Sequence, residues 1–299
     1  MKSTREAFGE ALVRLGSIYP EMLVLDGDVK NSTYTNLFEN KYPDRFIECY
    51  IAEQNMVGVA LGIAKIGFLP WVSSFSVFLS RAADQIRMAA LSGVTIRYCG
   101  SHAGVSIGAD GPSQMGLSDI AQFRGITGST VLSPSDPYQT DKLVEAMMKI
   151  DGTSYIRTMR DAMPDIYTQS DTFSIGGAKM FDVPDATVTV VATGVTVHEA
   201  LKAQKMLPNL RVIDCYSIKP IDEGSLKKAA SETKGIIVVE DHYPEGGLGD
   251  AVRSTLANSS KIPIIHLAVR KTPRSGKPDE LLAYEEINTD AIIKEARKL

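Results

Sequence analysis

A single acid, Glu53, stands between the apolar stretch RFIECYIA and a segment of small and apolar residues, QNMVGVALGIAKIG. The scarcity of charge after Glu53 predicts a helix that begins at this acid and is buried on every side. An ionised carboxylate there is costly unless a partner or a function holds it. One interpretation is a packed core helix whose first carboxylate interacts with the helix dipole. The other is a desolvated acid that transfers protons, and the residues alone leave both open.

Two aromatic residues and a cation follow about twenty residues further on, in WVSSFSVFLSRAADQIR. Phe75 and Phe78 are three apart, a spacing that predicts one face of a helical turn, and Arg81 continues that face. Two aromatic residues at this spacing belong to a core more often than to a cofactor site. A cation beside them in an otherwise apolar segment is less easily explained by core packing, so both explanations stay open.

The loop SHAGVSIGADGPSQMG, residues 101–116, is the most unusual stretch of the chain. It holds four glycines together with His102 and Asp110, and it directly follows the strand-like segment VTIRYCGS. Loops at the carboxyl ends of parallel strands are where α/β proteins bind ligands. The loop is therefore predicted to be functional.

The elements that must position these residues alternate between strand-like and helix-like segments along the whole chain. Strands separated by helices of this length favour parallel pairing, so both halves are predicted to be α/β. A turn-rich, aperiodic stretch, AMPDIYTQSDTFSIGGA, interrupts the alternation, which restarts on a smaller scale after it. We therefore predict a first domain at 1–165, a linker at 166–178 and a smaller second domain at 179–299.

Composition excludes several classes of protein. The 299 residues are 44% hydrophobic and 23% charged with a formal net charge of −4, which are ordinary values for a globular protein of about two domains. No apolar run is long enough to span a membrane, and no basic stripe indicates a nucleic-acid partner. The odd, scattered cysteines Cys49, Cys99 and Cys215 indicate a reducing compartment without disulfides or a metal site. With no apolar leader segment at the start, we expect the cytoplasm.

Six sequence blocks, taken together, resemble the second half of transketolase over nearly the whole chain. They are STR at 3–5, DVKNST at 28–33, IAEQNM at 51–56, SSFSVFLSRAADQIR at 73–87, GSHAGVSIGADGPSQMGLSDIAQFR at 100–124 and IRTMRD at 156–161. The resemblance implies two consecutive α/β domains, a parallel-sheet pyrimidine-binding domain of thiamine-diphosphate enzymes and a smaller transketolase C-terminal-like domain. The GPSQM form resembles the animal-type branch of the family.

The resemblance also implies cofactor-binding residues. Glu53 matches the catalytic glutamate that hydrogen-bonds a nitrogen of the cofactor's aminopyrimidine ring and favours its imino tautomer. Phe75 and Phe78 are expected to flank that ring and stack on it. Gln114 matches a residue beside the cofactor's amino group, and Asp28 is expected close to the cofactor.

Substrate-binding residues are implied in the same way. The family's phosphate-binding residues are matched by Arg5, Ser32 and Arg160. Arginine suits a sugar phosphate because its planar guanidinium makes paired, charge-assisted hydrogen bonds. His102 lies where the family contacts the phosphate or sugar end of the substrate, and Asp110 matches an acid that binds a substrate hydroxyl.

One expected part of the family's site has no match in this sequence. Transketolases hold the cofactor's diphosphate and a divalent ion with a Gly-Asp-Gly motif and asparagines on an N-terminal domain, and no metal ligand is expected here. Because Met1 stands only two residues before the STR block, we expect a naturally split enzyme. The chain is expected to be inactive alone and to need an N-terminal subunit that holds thiamine diphosphate with Mg²⁺ or another divalent ion, in a two-plus-two heterotetramer.

The resulting hypothesis is a subunit that transfers a two-carbon ketol unit between sugar phosphates. One alternative is the β-type subunit of a 2-oxoacid dehydrogenase, which the phosphate-binding residues and the His102 loop disfavour. A deoxyxylulose-phosphate-synthase-like reaction is compatible with Arg81, whereas His102 and Gln114 favour transketolase. A scaffold that has lost the reaction is the third possibility, and the retention of Glu53 argues against it.

Overall fold

The computed structural model describes residues 1–258 and 261–299. In the first half of the chain the helices are α1 (Thr4–Gly16), α2 (Lys30–Thr33), α3 (Asn36–Lys41), α4 (Glu53–Lys65), α5 (Ala83–Leu91), α6 (Asp119–Arg124) and α7 (Pro137–Met147). The strands are β1 (Met22–Asp26), β2 (Phe46–Glu48), β3 (Leu69–Phe75), β4 (Ile96–Ser101), β5 (Thr130–Leu132) and β6 (Thr153–Arg157). Short 3-10 helices occupy Pro43–Arg45, Phe78–Ala82 and Val105–Asp110.

The second half repeats the alternation with shorter connections. Its strands are β7 (Lys179–Phe181), β8 (Val188–Ala192), β9 (Leu210–Asp214), β10 (Ser217–Lys219), β11 (Gly235–Val239) and β12 (Ile264–Leu267). Its helices are α8 (Val195–Met206), α9 (Glu223–Glu232), α10 (Leu248–Leu256), α11 (Pro278–Tyr284) and α12 (Thr289–Ala296).

Two mostly parallel sheets organise these elements. The first has seven strands in the order β10-β5-β6-β4-β3-β1-β2, and the second has five in the order β12-β11-β8-β9-β7. One edge strand in each sheet is antiparallel, β10 against β5 and β7 against β9. The central strands β4, β8 and β11 are buried along their whole length, and β8 and β11 are almost wholly apolar, as expected where helices cover both faces of a parallel sheet. The predicted α/β fold with two parallel sheets is confirmed.

The chain crosses between the sheets at a place that the apolar pattern did not indicate. The segment LRVIDCYSI reads as one strand, but it divides into β9 in the second sheet and β10 in the first. Ser133 donates its backbone N–H to the carbonyl of Tyr216, which joins the turn to the end of β5. Pairing with β10 covers an otherwise open sheet edge. The predicted domain bounds of 1–165 and 179–299, with a linker at 166–178, stay a prediction.

Helix α4 is half-buried, so the prediction of burial on every side is wrong. Glu53, Met56, Val57 and Ala60 face the core, at the i, i+3, i+4, i+7 spacing of one helical face. Gly58 and Gly62 are on the exposed side, and no described atom lies within 4 Å of where their Cβ atoms would be. On the exposed face of α4, glycines stand where charged residues are usual. The sequence therefore lacks the charges that would have indicated an exposed face.

Several properties bear on the predicted class of protein. The three cysteines are buried and free, which confirms the absence of disulfides among them. Across residues 1–258 and 261–299, no helix is long and apolar enough to cross a membrane. The same residues contain no group of three or more histidine, cysteine or acidic side chains arranged to hold a metal ion.

Candidate active site at the carboxyl ends of the first sheet

The predicted site residues follow neighbouring parallel strands of the first sheet. Asp28 and Ser32 come after β1, Glu53 after β2, His102 after β4 and Arg160 after β6. Because these strands are parallel, their carboxyl ends meet at one edge of the sheet, where α/β folds bind ligands. The order of strands therefore brings residues together that are far apart in the sequence.

Glu53 is the first residue of α4 and its side chain is 2% exposed. Its Oε1 accepts a hydrogen bond of 2.7 Å from Nη1 of Arg81, whose side chain is 47% exposed. Within the described part of the chain, Arg81 is the one side chain that hydrogen-bonds to this carboxyl group. The acid is thus screened from solvent by a cation that itself faces solvent.

Phe75 and Phe78 do not share a helical turn, so that prediction is wrong. Phe75 is the last residue of β3, paired with Ser101 of β4, and Phe78 begins the 3-10 helix that follows. Their rings nevertheless stack, with centroids 5.3 Å apart and planes inclined by 11°. Pairing with β4 keeps the chain extended as far as Phe75. Because β4 is distant in the sequence, the local spacing of Phe75 and Phe78 could not reveal this.

The aromatic pair belongs to a longer series of ring contacts. The His102 imidazole stacks on Phe75 with a centroid distance of 3.9 Å, and the guanidinium carbon of Arg81 lies 4.4 Å from the centroid of Phe78. A ring inserted between Phe75 and Phe78 needs two stacking distances, roughly 7 Å. The 5.3 Å separation excludes that arrangement. A flat ligand must therefore stack outside the pair, on the partly exposed Phe78, where it would share or displace the position of the Arg81 guanidinium.

His102 is held in a neutral state. Its backbone has a φ of 55°, in the left-handed region, and its Nδ1 shares a 2.9 Å hydrogen bond with the Ser101 hydroxyl. Burial, together with the nearby charges of Arg5 and Arg160, lowers the pKa of His102 to about 3. At neutral pH the ring carries one proton and can both donate and accept a hydrogen bond.

The predicted phosphate-binding residues are brought together. Arg5 donates from Nε to the carbonyl of Arg160 and from Nη1 to the carbonyl of Ser32, both at 2.8 Å. Arg160 donates from Nη1 to the carbonyl of Ile107 at 2.8 Å, and its Nη2 lies 3.4 Å from Oδ1 of Asp110. Burial lowers the pKa of Arg5. Two guanidinium groups beside one carboxylate form a cluster suited to an anion.

The start of α1 fixes this cluster. Ser3 caps the helix by accepting from the N–H of Glu6 and forms an isolated bridge with Ala162. Thr4 accepts from the backbone N–H of Met159 through its hydroxyl at 2.7 Å. The two ends of the predicted first domain are thereby joined next to Arg5.

Two predicted residues stand apart from these contacts. Asp28 is exposed with a φ of 65°, and its backbone N–H donates to Oε1 of Glu48. The half-buried Gln114 accepts from the Ser113 hydroxyl. Among the described residues, neither side chain hydrogen-bonds to Glu53 or to the aromatic pair, so their cofactor-binding roles stay predictions.

Sequence reasoning missed a buried charged group beneath the loop at 101–116. Asp119 accepts from the Tyr155 hydroxyl at 2.6 Å and from Nε of Arg157 at 2.9 Å. Burial acts to raise the pKa of Asp119, but the Arg157 guanidinium holds it below its usual value. Asp241, from the second half of the chain, accepts from two backbone amides of the loop. The only signal for Asp241 in the sequence was its position two residues after the apolar run GIIVV.

Comparison with known families identifies this combination of sheets and site. Residues 1–165 match "Transketolase, pyrimidine binding domain", and residues 177–292 match "Transketolase, C-terminal domain". The chain belongs to the transketolase family. The family assignment agrees with the resemblance of the six sequence blocks.

Individual transketolases are similar to most of this chain. Human transketolase is 49% identical over 304 residues, which cover 99% of this chain and 49% of the human protein. Bovine transketolase-like protein 1 is 48% identical, with 97% of this chain and 50% of the bovine protein covered. The chain therefore spans about half the length of these relatives.

A solved structure is similar over its full length. It is described as "Split gene transketolase, inactive beta4 tetramer" and has a TM-score of 0.89 at 33% sequence identity. The alignment covers 99% of this chain and 97% of that chain. At least one known transketolase therefore has a subunit with the extent of the present chain.

The described residues fit one part of the cofactor that the family uses. The buried carboxyl group of Glu53 can hydrogen-bond to an aminopyrimidine, and the partly exposed ring of Phe78, linked to it through Arg81, can stack on one. In residues 1–258 and 261–299, no group of three or more acidic, histidine or cysteine side chains is arranged to hold a metal ion.

Proposed function

We propose that this chain is the C-terminal subunit of a split, thiamine-diphosphate-dependent transketolase. The complex would transfer a two-carbon ketol unit from a ketose phosphate to an aldose phosphate. The observation that carries the proposal is the carboxyl group of Glu53, which is buried at the carboxyl edge of the first sheet and paired with Arg81, whose guanidinium lies over the Phe78 ring. A buried acid with a solvent-facing partner is costly to keep unless the reaction uses it.

Glu53 would act on the cofactor ring. When bound, thiamine diphosphate supplies a nucleophilic thiazolium carbon, and its aminopyrimidine nitrogen would hydrogen-bond to Glu53. Because the Glu53 side chain is 2% exposed, its hydrogen bond to that nitrogen would form with little competition from water. Phe78, which stacks on Phe75, would support the ring once the Arg81 guanidinium over it moves aside. Asp28 and Gln114 are assigned to the neighbourhood of the cofactor by resemblance.

The cluster around Arg5 would bind the substrate's phosphate. Arg5 and Arg160 provide two cations, and Ser32 lies beside Arg5 through its carbonyl group. The neutral His102 would exchange hydrogen bonds with a sugar oxygen, and Asp110, next to Arg160, would accept from a sugar hydroxyl. Glu53 and this cluster are connected through the stacked series from His102 to Arg81.

A second polypeptide would complete the site and cover the open face of α4. It would be the N-terminal transketolase subunit, holding the diphosphate and Mg²⁺ or another divalent ion. Supporting residues are the exposed Ile51 at 72% and Ile66 at 74%, which lie at the two ends of α4. Between them Gly58 and Gly62 leave space for close approach of another backbone. We propose a two-plus-two heterotetramer in the cytoplasm, where the free cysteines would stay reduced.

The similar split-gene transketolase supports the dependence on a partner. That protein is called an inactive tetramer of β chains. By analogy, the present chain would be inactive without its partner. A β-type 2-oxoacid dehydrogenase subunit remains the second candidate function, because it shares the architecture. The transketolase match over both domains and the paired arginines at the substrate end favour the first.

The test is reconstitution. The chain is co-expressed with a candidate diphosphate-binding subunit, and ketol transfer from xylulose 5-phosphate is measured with thiamine diphosphate and magnesium. Glu53→Gln and Glu53→Ala are expected to lower kcat by about 10² to 10⁴, the usual scale for proton-transfer groups. Glu21→Gln, at an exposed acid, serves as the matched control with unchanged rate.

Two outcomes would reject the proposal. An unchanged rate in both Glu53 variants removes the assigned chemistry. Turnover of pyruvate with a lipoyl acceptor, with no activity on pentose phosphates, makes the 2-oxoacid dehydrogenase function the correct one.

A further inference from the structure

The carboxylate of Asp241 holds the backbone of the substrate-side loop from the other half of the chain. Its Oδ1 accepts from the N–H of Val105 at 2.7 Å, and its Oδ2 accepts from the N–H of Ser106 at 3.0 Å. Asp241 is 2% exposed and lies two residues beyond β11. Both carboxylate oxygens are therefore engaged by consecutive amides at the start of the 3-10 helix Val105–Asp110.

The loop backbone is shaped to admit this carboxylate. Gly104 has a φ of 86°, and a Cβ atom there would lie 2.1 Å from Oδ2 of Asp241. Only glycine combines that backbone conformation with such a close approach. The position of the Asp241 carboxylate therefore requires glycine at position 104, two residues after His102.

Other contacts from the second half support the same loop. Tyr243 donates its N–H to the carbonyl of Leu117 at 2.9 Å, just past the end of the loop. The Pro278 ring and the Gly276 carbonyl lie against Gly108, at 3.1 and 3.2 Å from its would-be Cβ. Arg157 links both halves, donating from Nη2 to the carbonyls of Gly116 and Asp241. The loop is therefore held by contacts from both halves of the chain.

We infer that Asp241 is a positioning residue for substrate binding, which gives the second half of the chain a role in the site. It would fix the segment between His102 and Asp110 so that both side chains reach the sugar phosphate together with Arg5 and Arg160. The inference rests on the proposed function for its kinetic consequence. Its structural consequence, an ordered loop backbone, is independent of any reaction.

The geometry explains why a carboxylate is required. Two adjacent N–H donors need two acceptor oxygens, and an asparagine offers one oxygen and one NH₂ group that would oppose an N–H. Leaving a buried amide without an acceptor costs more than an average hydrogen bond. Burial raises the pKa of Asp241, and the nearby positive charge of Arg157 acts in the opposite direction and offsets part of that cost.

The first test compares Asp241→Asn and Asp241→Ala with the wild type in the reconstituted complex. We expect the KM for the ketose phosphate to rise about tenfold or more, with kcat and the dissociation constant of thiamine diphosphate changed less than about twofold. A general weakening of the fold would instead affect cofactor and substrate binding together. Equal losses in cofactor and substrate affinity would overturn the inference.

The second test uses hydrogen exchange of the isolated chain, which does not depend on activity. The amides of Val105 and Ser106 are expected to exchange at least about tenfold faster in Asp241→Asn, while those of the β4 strand stay protected. Unchanged exchange at both amides overturns the inference even if ketol transfer is found. A wild-type complex without ketol transfer, but with these two amides released in the variant, rejects the proposed function and retains the positioning role of Asp241.

A glycine pair covers the possibility that the Asp241 variants fail to fold. Gly104→Ala places a methyl group against the carboxylate, whereas Gly93→Ala also has a positive φ but meets no described atom within 4 Å. Both variants carry backbone strain, so the difference between them reports the contact with Asp241. We expect faster exchange at Val105 and Ser106 only in Gly104→Ala. Identical exchange in the two variants would contradict the inference.

Discussion

The carboxyl group of Glu53 and the guanidinium of Arg81 are 2.7 Å apart, yet the first is 2% exposed and the second is 47% exposed. The anion is therefore desolvated by the protein, while its counter-ion keeps much of its own hydration. The same guanidinium lies over the ring of Phe78. The charge of Glu53 is thus balanced by Arg81, but the ion pair is not fully buried. A ligand could therefore approach Glu53 from the side of Arg81.

Replacing Arg81 should therefore destabilise the isolated chain. In Arg81→Met the Glu53 carboxylate loses its hydrogen-bond donor, and we expect the free energy of unfolding to fall by about 1–3 kcal/mol. Arg87→Met is the control, because Arg87 pairs with Asp84 at an exposed position and should matter by about 0.5 kcal/mol or less. Urea unfolding measures both. If the free energy of unfolding falls equally in the two variants, losing the partner of the buried Glu53 costs no more than losing the partner of an exposed acid.

His102 should make the fold less stable at acid pH. Its pKa of about 3 in the folded chain lies below the ordinary value of 6.5, so the unfolded chain binds more protons between these values. The free energy of unfolding therefore falls as the pH drops from about 6.5 toward 3. His102→Gln is expected to lose less stability than the wild type between pH 7 and 4.5, measured by urea unfolding at each pH. If the variant and the wild type lose the same free energy of unfolding between pH 7 and 4.5, the low pKa assigned to His102 is wrong.

Asp214 should act in the opposite direction. Burial raises its pKa to about 6, so the folded chain binds more protons than the unfolded chain between about pH 4 and 6. Its ionisation therefore lowers stability as the pH rises through that interval. Asp214→Asn retains an oxygen for the donors Ser135, Gln139 and Tyr167 and removes this loss.

We expect Asp214→Asn to be more stable than the wild type at pH 7.5, on the order of 1–3 kcal/mol, and about equal to it near pH 4. Thermal unfolding across this range provides the measurement. Asp44→Asn, at an exposed acid, should leave the pH profile unchanged. A variant that loses stability equally at every pH would mean that the carboxylate is needed in its charged form.

The open face of α4 should tolerate alanine. Gly58→Ala and Gly62→Ala fill empty space and are expected to raise the free energy of unfolding of the isolated chain by about 0.5–1 kcal/mol each. Gly9→Ala in α1 is the contrast, because its Cβ would lie 2.4 Å from the carbonyl oxygen of Tyr34 and should destabilise. Urea unfolding distinguishes the three. Destabilisation by the α4 alanines would mean that the face is already occupied within the chain.

The same face should respond differently in the complex. Gly58→Arg leaves the isolated chain folded, but it places a long charged side chain where the partner subunit is proposed to approach. We expect the dissociation constant for the partner to rise at least about tenfold, measured by titration of the purified subunits. Arg87→Met serves again as a surface control. Unchanged association would exclude this part of α4 from the interface.

Much of the site was predictable from local patterns. The helix beginning at Glu53, the strand before the 101–116 loop and the parallel connectivity follow from apolar periodicity and element length. Once the strands are parallel, their carboxyl ends must lie at one edge, and this brings His102 and Arg160 to the same place. The resemblance then assigned chemical roles to residues that local patterns could only mark as unusual.

Other features required knowledge of pairing across the chain. Phe75 belongs to a strand because β4 pairs with it, although the spacing to Phe78 resembles a helical turn. The division of LRVIDCYSI between two sheets depends on the open edge of β5, about eighty residues earlier in the chain. The exposed face of α4 is built from residues that read as apolar or neutral, so burial could not be inferred from them.

By itself the sequence determined the α/β class, the family, and the residues able to provide an acid, aromatic surfaces and paired cations. Those properties depend on residue type and on spacing along the chain, which local physics sets. Only the tertiary structure decided that Arg81 accompanies Glu53, that His102 stacks on Phe75 and is neutral, and that Asp241 supports the loop from the other half. These relations arise because strand order and helix packing bring distant residues into contact, and burial then sets their charge.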